Sequence, residues 1–108
     1  MIRQMRPAEV AELQRRGEAV VLLDVREEWE HRLVALPESE HIPLGELPLR
    51  AGELTAPEGA TVVVYCHHGI RSMSGAAILQ TAGWSNVASM AGGIDAWSDE
   101  VDATVGKY

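Results

Sequence analysis

Thr61-Val62-Val63-Val64-Tyr65-Cys66-His67-His68-Gly69-Ile70-Arg71-Ser72 is the stretch on which the reading of this chain turns. Thr61 to Tyr65 form a β-branched, largely apolar run, the composition of a strand. The residues from Ser72 to Gln80 are mostly small and apolar and read as a helix. Between them lies a short loop that opens on the only cysteine of the chain. The first amides of a helix have no intrahelical partners and carry partial positive charge, so they can hold an anion. A cysteine facing such amides is favoured as the thiolate, the form that acts as a nucleophile. Arg71 adds a cation that keeps its proton. Gly69 permits a bend at positive φ and a close backbone approach to a bound group.

A lone cysteine at a strand end is usually a small buried hydrophobe. The neighbours argue otherwise here. Two histidines, a glycine and an arginine make poor core material, and a structural cysteine gains nothing from them. Cys66 is therefore read as a nucleophile.

Outward from this loop, strands alternate with helical stretches. Pro7 to Gly17 reads as a first helix, with proline in its first turn and glycine after its end. Ala19 to Val25 is nearly continuous apolar sequence, the pattern of a parallel strand buried on both faces. Asp24 and Arg26 fall where that strand ends, the place where ligands gather in parallel α/β sheets. Both are candidate site residues, and a structural ion pair is the competing role. Glu27 to Arg32 reads as a short helix, with Trp29 as packing and His31 as a solvated surface residue. Pro37 to Leu44 suggests a turn and a very short strand stopped by Pro43, with His41 a structural histidine. The chain after Pro48 reads as helical, Trp84 to Met90 as a last strand, and Gly92-Gly93 as a tight turn. Ile94 to Trp97 opens a final helix, and residues 101–108 read as an extended or frayed tail. The alternation predicts a parallel-sheet α/β sandwich, a single domain over 1–108 with its core at about 7–100.

At 108 residues and a formal charge of −7, the chain has 46% hydrophobic and 23% charged residues, an ordinary globular balance. No Lys/Arg cluster marks a nucleic-acid footprint, and no apolar run approaches the roughly 18 residues of a membrane span. Nucleic acid and membrane are thus not expected as partners. The N-terminal segment lacks an apolar signal region. That and the single cysteine fit a reducing cytoplasm.

Four motifs together resemble the single-domain rhodaneses: Asp24-Val25-Arg26-Glu27, His41-Ile42-Pro43-Leu44, Cys66-x-x-Gly69-x-Arg71-Ser72 and Gly92-Gly93-Ile94-Asp95-Ala96-Trp97. The resemblance implies a five-stranded parallel sheet with helices on both faces. It also implies a sulfurtransferase whose Cys66 carries a sulfane sulfur as a persulfide, with no cofactor. His67, His68, Gly69, Ile70, Arg71 and Ser72 match the loop around that sulfur. Arg71 matches an arginine that helps bind an anionic donor, and Asp24 and Arg26 match a pair that supports the loop. Glu38-Ser39 stands where the family often has Gly-Ala, a local departure. Thiosulfate, a cysteine-desulfurase persulfide or a small-molecule persulfide is compatible as donor. Cyanide, a small thiol or a sulfur-carrier protein is compatible as acceptor.

Three other readings compete. A cysteine phosphatase or arsenate reductase loop resembles Cys, five residues and then Arg; here four residues separate Cys66 from Arg71. A non-catalytic regulatory or binding domain on the same fold would be expected to lack the nucleophile, and Cys66 and Arg71 are both present. A metal site made by Cys66, His67 and His68 is disfavoured, because adjacent residues rarely present side chains to one ion.

Overall fold

A computed structural model describes all 108 residues. Five strands form one all-parallel sheet in the order β1-β5-β4-β2-β3. They are β1 (Arg3–Met5), β2 (Val20–Asp24), β3 (Glu40–His41), β4 (Thr61–Tyr65) and β5 (Val87–Met90). The helices are α1 (Pro7–Arg15), α2 (Glu28–Leu33), α3 (Leu47–Arg50), α4 (Arg71–Thr81) and α5 (Gly93–Glu100). Single turns of 3₁₀ helix flank α3, and another follows α5 at Ala103–Val105.

Successive side chains of a strand face opposite ways, and the central strands sort cleanly by that rule. Leu23, Val62, Val64 and Cys66 join a core with Leu47 and with Ala76 and Leu79 of α4. Leu22, Val63 and Tyr65 join a second core with Val10 of α1 and with Ile94 and Trp97 of α5. The sheet is therefore covered on both faces, as the near-continuous apolar runs of β2 and β4 require. Val64 pairs with Leu23 on one side and Ser89 on the other. This central position brings Cys66 out of the carboxyl edge between the ends of β2 and β5.

Two expectations fail at the chain ends. The core does not begin at residue 7, because β1 pairs with β5 from Arg3 to Met5. Only Met5 of that strand is buried, so the sequence carries no alternation to reveal it. Nor is 101–108 a frayed tail. Asp102 caps the 3₁₀ turn through Thr104 N (3.0 Å), and the last residue, Tyr108, packs at the carboxyl edge of the sheet. At the departure noted above, Glu38 adopts φ 61°, a left-handed conformation that costs a non-glycine residue roughly 1–2 kcal/mol. Ser39 offsets it by bonding Leu36 O (2.8 Å) and the Tyr65 hydroxyl (2.9 Å).

Candidate active site

The loop after β4 is held from below by a second loop. The Cys66 and His67 carbonyls accept bonds from Ile94 N (2.9 Å) and Asp95 N (3.1 Å), two free amides of the first turn of α5. Gly93 has φ 61°, and a Cβ there would lie 2.4 Å from both carbonyl oxygens. Gly69 has φ 97°, and its Cβ would lie 2.8 Å from Gly92 N. The two backbones touch because neither carries a side chain at the crossing.

With the loop carbonyls engaged below, its amides turn inward. Gly69 N and Ser72 N donate to Cys66 Sγ at 3.1 and 3.3 Å. Ser72 Oγ lies 3.5 Å from the sulfur and 2.7 Å from Ser89 Oγ. Cys66 is 1% exposed, and Ser72 and Ser89 are fully buried. The sulfur thus sits on the floor of a polar ring closed by the first turn of α4. Ser89 was not apparent from sequence as part of this ring; a lone serine in an otherwise apolar strand was the available signal.

Arg71 is the first residue of α4, and it does not stand free beside the sulfur as the sequence suggested. Its two terminal nitrogens form a forked pair with Glu30 of α2, at 2.7 and 2.9 Å. Arg71 donates strongly to Glu30, which holds that carboxyl at about 2 although burial opposes it. The same pairing raises Arg71, again against desolvation. Glu30 reads from sequence as a surface acid in a first turn, yet it is 4% exposed.

Glu30 links two parts of the site. The Tyr108 hydroxyl donates to Glu30 Oε2 (2.6 Å) and accepts from Arg26 Nη1 (2.9 Å). Burial, reinforced by the Glu30 bond, pushes the Tyr108 phenol up to about 12. Arg26 is fully buried. It grips Asp24 through Nε (2.9 Å) and Nη2 (2.7 Å) and also donates to Val34 O (2.6 Å). Its guanidinium is 5.5 Å from the ring centres of both Tyr65 and Tyr108. One network therefore runs Asp24, Arg26, Tyr108, Glu30, Arg71. Asp24 and Arg26 make no bond to residues 66–72 themselves; Tyr108 and Glu30 carry the connection.

The histidines fall into two pairs. His31 is not a solvated surface residue: its Nδ1 lies 2.7 Å from Asp24 Oδ2, and its ring stacks on His41 at 4.4 Å. His41 Nε2 lies 2.8 Å from Arg26 O, a structural role as expected. Near the sulfur, the His67 ring is sandwiched between His68 (3.8 Å) and Tyr108 (3.9 Å). Burial, and then the adjacent His68, lower the pKa of His67. Trp29 meets Tyr108 edge-on at 6.0 Å and is otherwise largely exposed.

A family model for the rhodanese-like domain matches residues 6–100. The chain belongs to the rhodanese-like domain family. A sulfurtransferase of Allochromatium vinosum is 35% identical over 81 residues, covering 75% of this chain and 74% of that protein. The thiosulfate sulfurtransferase GlpE of Pseudomonas fluorescens is 37% identical over 84 residues, 76% of this chain and 73% of its own. Among solved structures, a rhodanese-related protein from Thermoplasma volcanium superposes with a TM-score of 0.79 at 30% identity, covering 92% of this chain and 93% of that one. The five-stranded parallel sheet described above is accordingly the rhodanese-like fold. No helix is long and apolar enough to cross a membrane.

Proposed function

We propose that this rhodanese-like domain is a sulfurtransferase in which Cys66 carries a sulfane sulfur as a persulfide. The observation that carries the reading is the convergence of the Gly69 and Ser72 amides on Cys66 Sγ, beside a Ser72 Oγ that accepts from the thiol at 3.5 Å. Donors fixed in place stabilise negative charge on sulfur without reorganising when it develops.

In the first half-reaction the Cys66 thiolate attacks the outer sulfur of a donor such as thiosulfate. The donor's S–S bond breaks, sulfite leaves with the bonding pair, and Cys66 holds the transferred atom as an anionic persulfide. In the second, an acceptor nucleophile attacks the outer sulfur and the Cys66 thiolate departs. Cyanide gives thiocyanate, and a small thiol or a protein thiol gives a new persulfide. The cycle is a double displacement. The chain has one cysteine, so the acceptor comes from another molecule, a sulfur-carrier protein among the candidates. A cysteine desulfurase is an equivalent protein source of the donor sulfur.

The other loop residues take roles that follow from their placement. Gly69 and Ser72 supply amides, and His67, His68 and Ile70 shape the rim. Arg71, oriented by Glu30, directs positive charge to the donor's oxyanion, and Asp24 and Arg26 brace that orientation through Tyr108. The deeply buried sulfur suits a reactant that offers one small outer atom.

The test is intact mass after incubation with thiosulfate and desalting. The wild-type protein should gain one sulfur atom and release it on addition of cyanide. Cys66→Ser should do neither, and thiocyanate formation by that variant would overturn the assignment.

A further inference from the structure

Eight of the nine lysine and arginine side chains stand in ion pairs with carboxylates. The exception is Arg3 of β1, whose side chain reaches back to Asn86, ahead of β5 and toward the amino edge of the sheet. No uncompensated lysine or arginine therefore faces Cys66 at the carboxyl edge. Arg71 is the one arginine of the sulfur-carrying loop, and Glu30 meets it with both oxygens, at 2.7 and 2.9 Å. The Glu30 carboxyl is held at about 2, so it keeps its charge throughout the neutral range. His67 does not make up the difference, because burial and then His68 disfavour its charged form. The backbone groups that meet the sulfur are neutral dipoles, the amides of Gly69 and Ser72 at 3.1 and 3.3 Å. Such dipoles suit one anionic atom, whereas an oxyanion lying outside their ring needs a cation.

We propose that Glu30 is a specificity-determining residue, which by cancelling Arg71 sets the site for an alkyl persulfide as donor over the dianion thiosulfate. The inference rests on the reading of Cys66 as the persulfide carrier and names the donor class of that site. Specificity is a difference between two affinities, and the two donors differ where Glu30 acts. With the outer sulfur of thiosulfate among the amides, its oxyanion half lies outside them. Arg71 gives that half a direction, but the carboxylate bonded to the guanidinium offsets most of the charge that would hold it. An alkyl persulfide brings at most one negative charge, on the sulfur the amides receive, and an uncharged carbon group behind it. The rim carries Ile70, 80% exposed, which an alkyl group can cover and an oxyanion cannot use. Transfer needs no further reactant. The Cys66 thiolate attacks the outer sulfur of the protonated persulfide, the donor's S–S bond breaks, and the alkyl thiolate leaves with the bonding pair. The proton on the transferred sulfur passes to that thiolate or to solvent, and Cys66 holds the anionic persulfide.

The test is single-turnover loading of Cys66 in the full-length protein at pH 8, followed by time-resolved intact mass. The donors are thiosulfate and the persulfide of N-acetylcysteine methyl ester, whose carbon group is uncharged. The deciding quantity is the thiosulfate rate constant divided by the persulfide rate constant, in wild type and in Glu30→Gln, because each donor's intrinsic reactivity cancels between the two proteins. Glutamine keeps an oxygen for Arg71 and Tyr108 and removes the charge, so the quotient should rise at least about threefold. A smaller rise, or a fall, would reduce Glu30 to holding the loop in place and overturn the proposal. A second measurement needs no variant. Raising the ionic strength from about 0.02 to about 0.3 M should change wild-type loading from thiosulfate by no more than about twofold. A larger fall would reveal an uncompensated cation at the mouth and overturn the proposal equally. No sulfur on wild-type Cys66 from either donor would overturn the persulfide reading itself, a result distinct from loading with an unchanged quotient.

Discussion

The Glu30–Arg71 pair allows a prediction whose size can be worked out. Glu30 falls from its ordinary value of 4.5 to about 2 in the folded protein. A folded-state value below the unfolded one means that the carboxylate stabilises the fold above pH 4.5. That contribution is lost as the pH falls toward 2. A difference of that size corresponds to about 3 kcal/mol at pH 7, falling to about 1 kcal/mol at pH 3. Glu30→Gln keeps the shape and an acceptor for Tyr108 but removes the charge. The Arg71 side chain is 37% exposed, so water recovers part of its solvation and the observed cost at pH 7 should be about 1–3 kcal/mol. Urea unfolding of wild type and Glu30→Gln, followed by tryptophan fluorescence at pH 7 and pH 3, tests this. The gap between the two proteins should shrink by about half or more at the lower pH. Other carboxylates titrate in both proteins and cancel in the difference. A gap that stays constant with pH would show that Glu30 gains nothing from Arg71 as a charged partner, and the network described here would lose its centre.

Three further substitutions probe the rest of the site, with a fourth, Gly17→Ala, as a control outside it. Gly93→Ala forces a Cβ to 2.4 Å from the Cys66 and His67 carbonyls and should cost about 3–5 kcal/mol. Gly17→Ala, at φ 78° with open space around it, should cost only about 1 kcal/mol; equal melting temperatures for the two would refute the interlocked-loop account. Tyr108→Phe leaves Arg26 Nη1 without its acceptor and should lower stability by about 1–2 kcal/mol in denaturant titrations, whereas a tail that merely rests on the surface would lose nothing. Ser89→Ala removes the partner that orients Ser72 Oγ. It should cost about 1 kcal/mol and slow persulfide formation from thiosulfate several-fold in a time-resolved mass assay, and an unchanged rate would leave Ser72 without a directed role.

What sequence disclosed and what it concealed divide along a physical line. The elements carried by continuous local patterns, β2, β4 and α1, lie within a residue or two of where their apolar runs and caps placed them. The strand-loop-helix unit around Cys66 was legible for the same reason, since its chemistry is contained in seven consecutive residues. Most of what was misread depends on a partner distant in the chain. β1 is a strand only because β5 lies beside it, and its own residues are two-thirds polar-facing. Glu30 looks like a surface acid of a short helix until Arg71, 41 positions away, and Tyr108, 78 positions away, close over it. His31 turns inward because Asp24 has an oxygen to share. Tyr108 follows a run of polar and small residues that gives no hint of docking.

The same partners alter how the site should handle charge. Both arginines of the network are matched by carboxylates, Arg26 by Asp24 and Arg71 by Glu30, within a chain of formal charge −7. The loop therefore has little net positive field with which to draw anions from a distance, since opposite charges in contact cancel beyond a Debye length. What remains is short-ranged: two amides within 3.3 Å of the sulfur and a guanidinium held in a fixed direction by its partner. Amide dipoles act over a few ångströms, so they discriminate by contact with the atom they surround. Arg71, tied by two bonds, forfeits reach and gains orientation, and a planar fork held in place loses less entropy on meeting an oxyanion than a free one does. Under the proposed function, a site built this way would select its reactant after encounter, by whether one small outer atom fits among the amides.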